Sequence, residues 1–157
     1  MRIRIYVGTM TGTAELVAEE VADSLRAEDH EVEIAMMDKL DATAFDDAAP
    51  IYLICTSTYG QGDVPDNAQD FFEALKAQRP DLSAIRYGVI GLGDSTYQQT
   101  FNFGGKRFDD LLQELGADRI GERFIHDAAD GTMPEEEALT WLEDWRQAAG
   151  DAVAKAA

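Results

Sequence analysis

The chain has 157 residues, enough for one domain that buries its own core without disulfides or metals. Thirteen Lys and Arg stand against 31 Asp and Glu, a formal net charge of −18. Nucleic acid and anionic membrane surfaces are therefore poor partners, because phosphate binding needs a basic face that so few cations cannot build, whereas a basic protein is a natural complement.

In chain order, "RIRIYVG" (2–8) alternates at its start and reads as a first strand. "GTMTGTAE" (8–15) follows and leads into a helix. There Val17, Val21 and Leu25 recur at i, i+4 and i+8 beside Ala14, Ala18 and Ala22, with Glu15, Glu19, Glu20 and Asp23 on the wet side. "EVEIAMM" (31–37) alternates as an edge or half-covered strand does, and "FDDAAP" reads as a loop. "IYLICTS" (51–57) and "RYGVIGL" (86–92) are nearly continuous apolar runs, the mark of central strands covered on both faces. Cys55 lies in the first of these runs, so the one cysteine is expected to be a buried, inert thiol. Phe71, Phe72 and Leu75 mark the inner face of a second helix, with Asp66 or Asn67 as its cap. Phe108, Leu111, Leu112 and Leu115 mark a third, closed by Gly116. "RIGERFI" (119–125) reads as a fifth strand whose charges suit an edge. The last helix follows "DGTMPEEE". Thr132 with Glu135 fits a capping box and Pro134 a helix start, with Leu139 and Leu142 facing inward and Trp141 or Trp145 covering an edge.

Strands that alternate with helices imply one doubly wound α/β domain over residues 1–157, a parallel sheet with helices on both faces. Five strands are too few for a closed eight-stranded barrel. His30 and His126 are far apart and no CxxC occurs, so no transition-metal site is expected. No apolar run nears the roughly 20 residues of a membrane span. The first strand begins at residue 2, which leaves no room for a signal peptide, and a cytoplasmic location is the expectation.

Open parallel sheets bind ligands beyond the carboxyl ends of their strands. Three segments there are unusual. "GTMTGTAE" combines the unpaired amides of a helix start with hydroxyls at Thr9, Thr11 and Thr13 and a close-approach glycine at Gly12, an anion cradle without a cation. It lacks the lysine of a Walker loop and the spacing of GxGxxG. "STYGQGDVPDN" (57–67) puts Tyr59 before Gly60, Gln61 and Gly62, and "GLGDSTYQQTFN" (91–102) puts Tyr97 beyond another strand end. A phosphorylated planar ring would fit, its phosphate on the first loop and its ring between the tyrosines. A Gly-Asp-Ser hydrolase with Ser95 as nucleophile has only His126 as a conceivable base.

"TMTGTAE", "STYGQGDVPDNAQDFFEAL" and "GLGDSTYQQTFNFGGKRFDDLLQELGA" resemble the FMN-binding motifs of flavodoxins, above all the MioC-like short-chain type, and of the flavodoxin-like domains of diflavin reductases. The resemblance covers essentially the whole chain. It implies a flavodoxin-like three-layer sandwich with a five-stranded parallel sheet of order 2-1-3-4-5. Its phosphate loop maps onto Thr9, Met10, Thr11, Gly12, Thr13 and Ala14. Its first ring loop maps onto Ser57, Thr58, Tyr59, Gly60, Gln61 and Gly62, and its second onto Leu92, Gly93, Asp94, Tyr97 and Asn102, bordered by Phe101 and Phe103. Met10 stands where the family commonly has a polar residue, and the second ring loop is one residue longer than in diflavin reductases.

The implied function is that of a low-potential single-electron carrier with FMN as cofactor and no catalytic residue. Asp63, Asp66 and Asp94 would add to the negative field near the flavin. The implied partners are a basic NADPH-dependent flavodoxin reductase and acceptor enzymes, docked transiently on a monomer, with no nucleic acid and no membrane. No NADPH-binding module follows, so a complete diflavin reductase is not expected. Three alternatives stand beside this. An FMN-dependent NAD(P)H oxidoreductase acting on quinones would need a nucleotide pocket, for which no basic patch is visible. A phosphoacceptor signalling domain would need acids at the end of strand one, where Gly8 and Thr9 stand. The third is an interaction module without FMN.

Overall fold

The apolar runs become one sheet. The computed structural model describes residues 1–10, 12–46, 49–58, 64–93 and 103–156. β1 (Arg2–Gly8), β2 (Glu31–Met36), β3 (Ile51–Thr56), β4 (Arg86–Gly93), β5 (Asp118–Arg119) and β6 (Phe124–Asp127) all pair in parallel. The order is β2-β1-β3-β4-β5, with β6 also beside β4. The order 2-1-3-4-5 is as expected; the fifth position is filled by two short pieces.

The continuous apolar runs are explained by a core on each face, since successive side chains of a strand point to opposite sides. Ile5, Val7, Leu53, Cys55, Ile90 and Leu92 pack under α1 (Thr13–Arg26) and α4 (Pro134–Ala156). Tyr6, Tyr52, Ile54, Tyr87 and Val89 pack under α2 (Asp66–Gln78) and α3 (Phe103–Glu114). β2 lies at the sheet's edge and buries little beyond Val32, which accounts for its alternation. Gly116 ends α3 with φ near +100°, a left-handed turn that favours glycine.

The predicted strand 119–125 breaks in the middle. Gly121 turns at φ +70° and its carbonyl accepts from Arg119 Nε at 3.1 Å. Trp141 Nε1 donates to the Glu122 carbonyl at 3.1 Å from one side. From the other, Asp109 of α3 pairs with both Arg119 and Arg123. Asp109 is only 1% exposed and also accepts from the Tyr87 hydroxyl at 2.6 Å and from Gln113 Nε2 at 3.0 Å. Burial, and then this bond to a carboxylate, hold the Tyr87 phenol far above its ordinary pKa.

Of the two tryptophans read as candidates for an edge, one covers it, and two helix caps are corrected. Trp145 does not cover an edge: it is 2% exposed and fills the space over Gly88, where a Cβ would lie 2.4 Å from the indole nitrogen. Trp141, half-buried, takes the edge and stacks on it. The Thr132–Glu135 capping box does not form. α4 opens at Pro134, so Met133 is the N-cap and its carbonyl accepts from the Glu136 and Glu137 amides. The Thr132 hydroxyl instead lies 3.2 Å from His126 Nε2. Finally, Asp66 does not cap α2. Pro65 occupies the N-cap, no side chain caps it, and Asp66 is the first helical residue.

Candidate functional site

The carboxyl ends of β1, β3 and β4 lie side by side, with Gly8 opposite Thr56 and Thr56 opposite Gly91. Of the residues expected to bind, Thr9, Met10, Gly12, Thr13, Ala14, Ser57, Thr58, Leu92 and Gly93 are described at this edge, with the backbone of Phe103. Thr11, Tyr59, Gly60, Gln61, Gly62, Asp94, Tyr97 and Asn102 lie outside the described residues, as do Asp63, Ser95 and Phe101.

The first loop is shaped by two glycines. A Cβ on Gly8 would lie 2.8 Å from Thr56 Oγ1 and 3.1 Å from Met37 Sδ, so only glycine leaves β1 at that point without displacing its neighbours. Thr9 Oγ1 accepts from the Gly12 amide at 2.9 Å and folds the loop back on itself. Gly12 is the N-cap of α1 at φ +92°, and no side chain caps that end. A Cβ on Gly12 would meet nothing within 4 Å among the described residues, which leave the space beside the helix start open. Helix N-terminal amides facing open space attract an anion. The hydroxyls of Thr9 and Thr13 add neutral donors, and the loop from Gly8 to Glu15 carries no cation.

Cys55 anchors this helix from below. Its thiol donates to the Ala14 carbonyl at 3.3 Å, and burial pushes its pKa up to about 12, which keeps the proton on the sulfur. The thiol is thus buried and structural, as expected from the run it lies in.

The second wall is built on Ser57 and Thr58. The Ser57 amide donates to the Gly8 carbonyl at 3.1 Å, joining the two strand ends. Thr58 Oγ1 donates to the Leu92 carbonyl at 3.2 Å and accepts from the Gly104 amide at 3.1 Å, tying β3, β4 and α3 at one point. The Ser57 hydroxyl is buried and has no hydrogen-bond partner among the described residues. A buried polar group left unpaired costs free energy, so an orphan at a binding edge points to a missing partner.

Sequence reasoning weighed Asn67 only as a helix cap. The structure places it against the first loop, with Oδ1 accepting from the Thr9 amide at 2.7 Å. The usable signal was chemical: a carboxamide both donates and accepts, as a cap alone does not require. His126, the one base open to a hydrolase, has Nε2 3.2 Å from both the carbonyl and the hydroxyl of Thr132, which engage it within its own segment. Among the described residues no group of His, Cys, Asp and Glu could hold a metal ion, and no helix is long and apolar enough to cross a membrane.

An uncapped helix start, neutral hydroxyls and an orphaned serine suit a phosphate with an attached polar chain. The flavodoxin family model matches residues 5–141. Flavodoxin YqcA of Escherichia coli K12 is 43% identical over 144 residues, which is 91% of this chain and 95% of that protein. Protein MioC of the same strain is 37% identical over 143 residues, covering 91% and 95%. Among solved structures, a cysteine-to-serine mutant of flavodoxin from Pseudomonas aeruginosa superposes with a TM-score of 0.82 at 34% identity, covering 96% of this chain and 99% of that one.

Proposed function

The chain belongs to the flavodoxin family, and from that premise we propose that the edge formed by β1, β3 and β4 is where it holds FMN as a low-potential single-electron carrier. The observation that supports this placement is the uncapped, left-handed start of α1 at the same sheet edge as the Ser57 hydroxyl, which is unpaired among the described residues. When bound, FMN supplies the redox chemistry, and the protein supplies binding, orientation and electrostatics. The α1 amides with Thr9, Gly12 and Thr13 would hold the phosphate, and Thr11 is a further hydroxyl the sequence offers to it. Ser57 and Thr58 would line the approach to the ring, and Tyr59 and Tyr97 are the aromatic side chains the sequence offers for stacking on it. No cation neutralises the phosphate within the first loop. Its charge and the net −18 of the chain oppose further negative charge on the flavin, which makes the carrier a stronger reductant.

Titration of the flavin-free protein with FMN tests this. Stoichiometric binding with quenched flavin fluorescence is expected; a protein that ignores FMN removes the proposal. If the FMN-loaded protein alone consumed NAD(P)H, the oxidoreductase alternative would replace the carrier.

The acidic surface docks a basic NADPH-dependent reductase and basic acceptors in turn, as a cytoplasmic monomer. Raising salt from about 0.1 M to about 1 M shortens the Debye length from about 10 to about 3 Å. Second-order electron transfer from such a reductase is then expected to slow by at least about tenfold in stopped-flow. A salt-independent rate would argue against electrostatic docking.

A further inference from the structure

The start of α2 grips the loop after β1 at three consecutive residues. Asp66 donates its amide to Met10 Sδ at 3.3 Å. Asn67 Oδ1 accepts from the Thr9 amide at 2.7 Å while Asn67 Nδ2 donates to the Val7 carbonyl at 3.3 Å. Ala68 comes so close that a Cβ on Gly8 would lie 3.2 Å from its own. The Asn67 carboxamide therefore takes the two peptide groups on either side of Gly8. A residue on a neighbouring parallel strand makes the same pair of bonds. The last register between β1 and β2 is Val7↔Met36, after which β2 turns away into the short 3-10 turn Met37–Lys39. One side chain of α2 thus extends the ladder by a step where the strand has left.

Asn67 does nothing comparable for its own helix, whose N-cap is Pro65 without a side-chain cap. Asparagine is a weak helix former, and here both halves of its amide are spent on another segment. From Thr9 the constraint passes on. Its backbone is held by Asn67 and its hydroxyl accepts from the Gly12 amide at 2.9 Å, at the residue from which the α1 amides open. We propose that Asn67 is the positioning residue of the phosphate cradle, setting the Thr9–Gly12 loop in the shape that receives the anion. The proposal rests on the reading that this loop holds the FMN phosphate.

Riboflavin separates the two ideas, because it has the same ring as FMN and no phosphate. Flavin-free wild-type protein and the Asn67→Ala and Asn67→Asp variants are titrated with FMN and with riboflavin by fluorescence quenching. Wild type is expected to prefer FMN. Asn67→Ala is expected to lower FMN affinity about tenfold, equivalent to about 1.4 kcal/mol, while riboflavin affinity moves by less than about twofold. Asn67→Asp keeps the shape and the acceptor for Thr9 but cannot donate to Val7 and brings a negative charge. Charge repulsion adds a part of its FMN loss that fades as salt is raised; the loss that persists at about 1 M salt, again with riboflavin unchanged, is expected to be at least about tenfold and decides the matter if the alanine variant fails to fold. Equal affinity of wild type for the two flavins would overturn the phosphate-cradle reading itself. Wild-type selectivity that persists in the variants, or equal losses for both flavins, would leave Asn67 a fold-stabilising residue only and overturn the proposal.

Discussion

Replacing Asp109 with alanine is expected to cost about 3 kcal/mol of stability, read as a lower urea midpoint at unchanged slope. The carboxylate is buried between Arg119, Arg123, Gln113 and the Tyr87 hydroxyl, and no other acid is positioned to replace it among the contacts these groups make. Removing it leaves two guanidinium groups without their counter-ion and withdraws the acceptor that holds the break between β5 and β6. Two features moderate the loss. The arginine side chains are 32% and 21% exposed, so water recovers part of their solvation. Tyr87 also donates to the Asp109 backbone carbonyl at 3.1 Å, a contact that alanine keeps. An asparagine in its place would still accept from Tyr87 without balancing the charge, so Asp109→Asn is expected to fall between wild type and Asp109→Ala. A loss below about 1 kcal/mol for the alanine variant would show that the guanidinium groups find water as good a partner.

Gly104→Ala is expected to damage both stability and flavin binding. Helix propensity by itself would favour alanine by about 1 kcal/mol. The tertiary contact reverses this: a Cβ on Gly104 would lie 2.3 Å from the Ser57 carbonyl oxygen and 3.2 Å from Thr58 Cα. That carbonyl cannot swing aside freely, since Thr56 Oγ1 donates to it at 3.0 Å. Helix α3 must then back away, stretching the Gly104–Thr58 hydrogen bond and shifting Ser57 at the site. A net loss of about 1–3 kcal/mol is expected by thermal or urea unfolding, with weaker FMN affinity. The neighbouring Gly105→Ala is the control, because its nearest contacts are Gly91 Cα at 3.3 Å and Val89 Cγ1 at 3.4 Å, which ask for only a small adjustment. If the two variants behaved alike, the close approach at Ser57 would not be what requires glycine.

The strands and helices were legible because burial writes a period into the chain. β1 and β3 run as read to within a residue, and the side chains expected inside α1 are all buried. The apolar runs of β3 and β4 announced a sheet covered on both faces. The strand-end loops announced the edge proposed here for a ligand, since neither hydroxyl-rich Gly8–Glu15 nor the Ser57–Thr58 step serves a plain turn. The misread helix caps share one cause. Thr132, Asp66 and Asn67 are residue types that cap helices, and local spacing made caps of them. In the fold the side chains of Thr132 and Asn67 go to partners outside the helix, His126 for the first and Val7 and Thr9 for the second, while Asp66 lies one position too late and its carboxylate accepts from Gln69 within α2.

The sequence by itself determined the alternation of strand and helix, the two-faced core and the chemistry available at the strand ends, because each follows from the side chains of one segment and their period. Only the tertiary structure decided which segments meet. It showed that Trp145 fills the space Gly88 leaves and that one buried carboxylate divides the fifth strand position. It also showed that α2 reaches across to shape the loop after β1. Such contacts join residues far apart in the chain, and nothing in either partner's local pattern specifies the other.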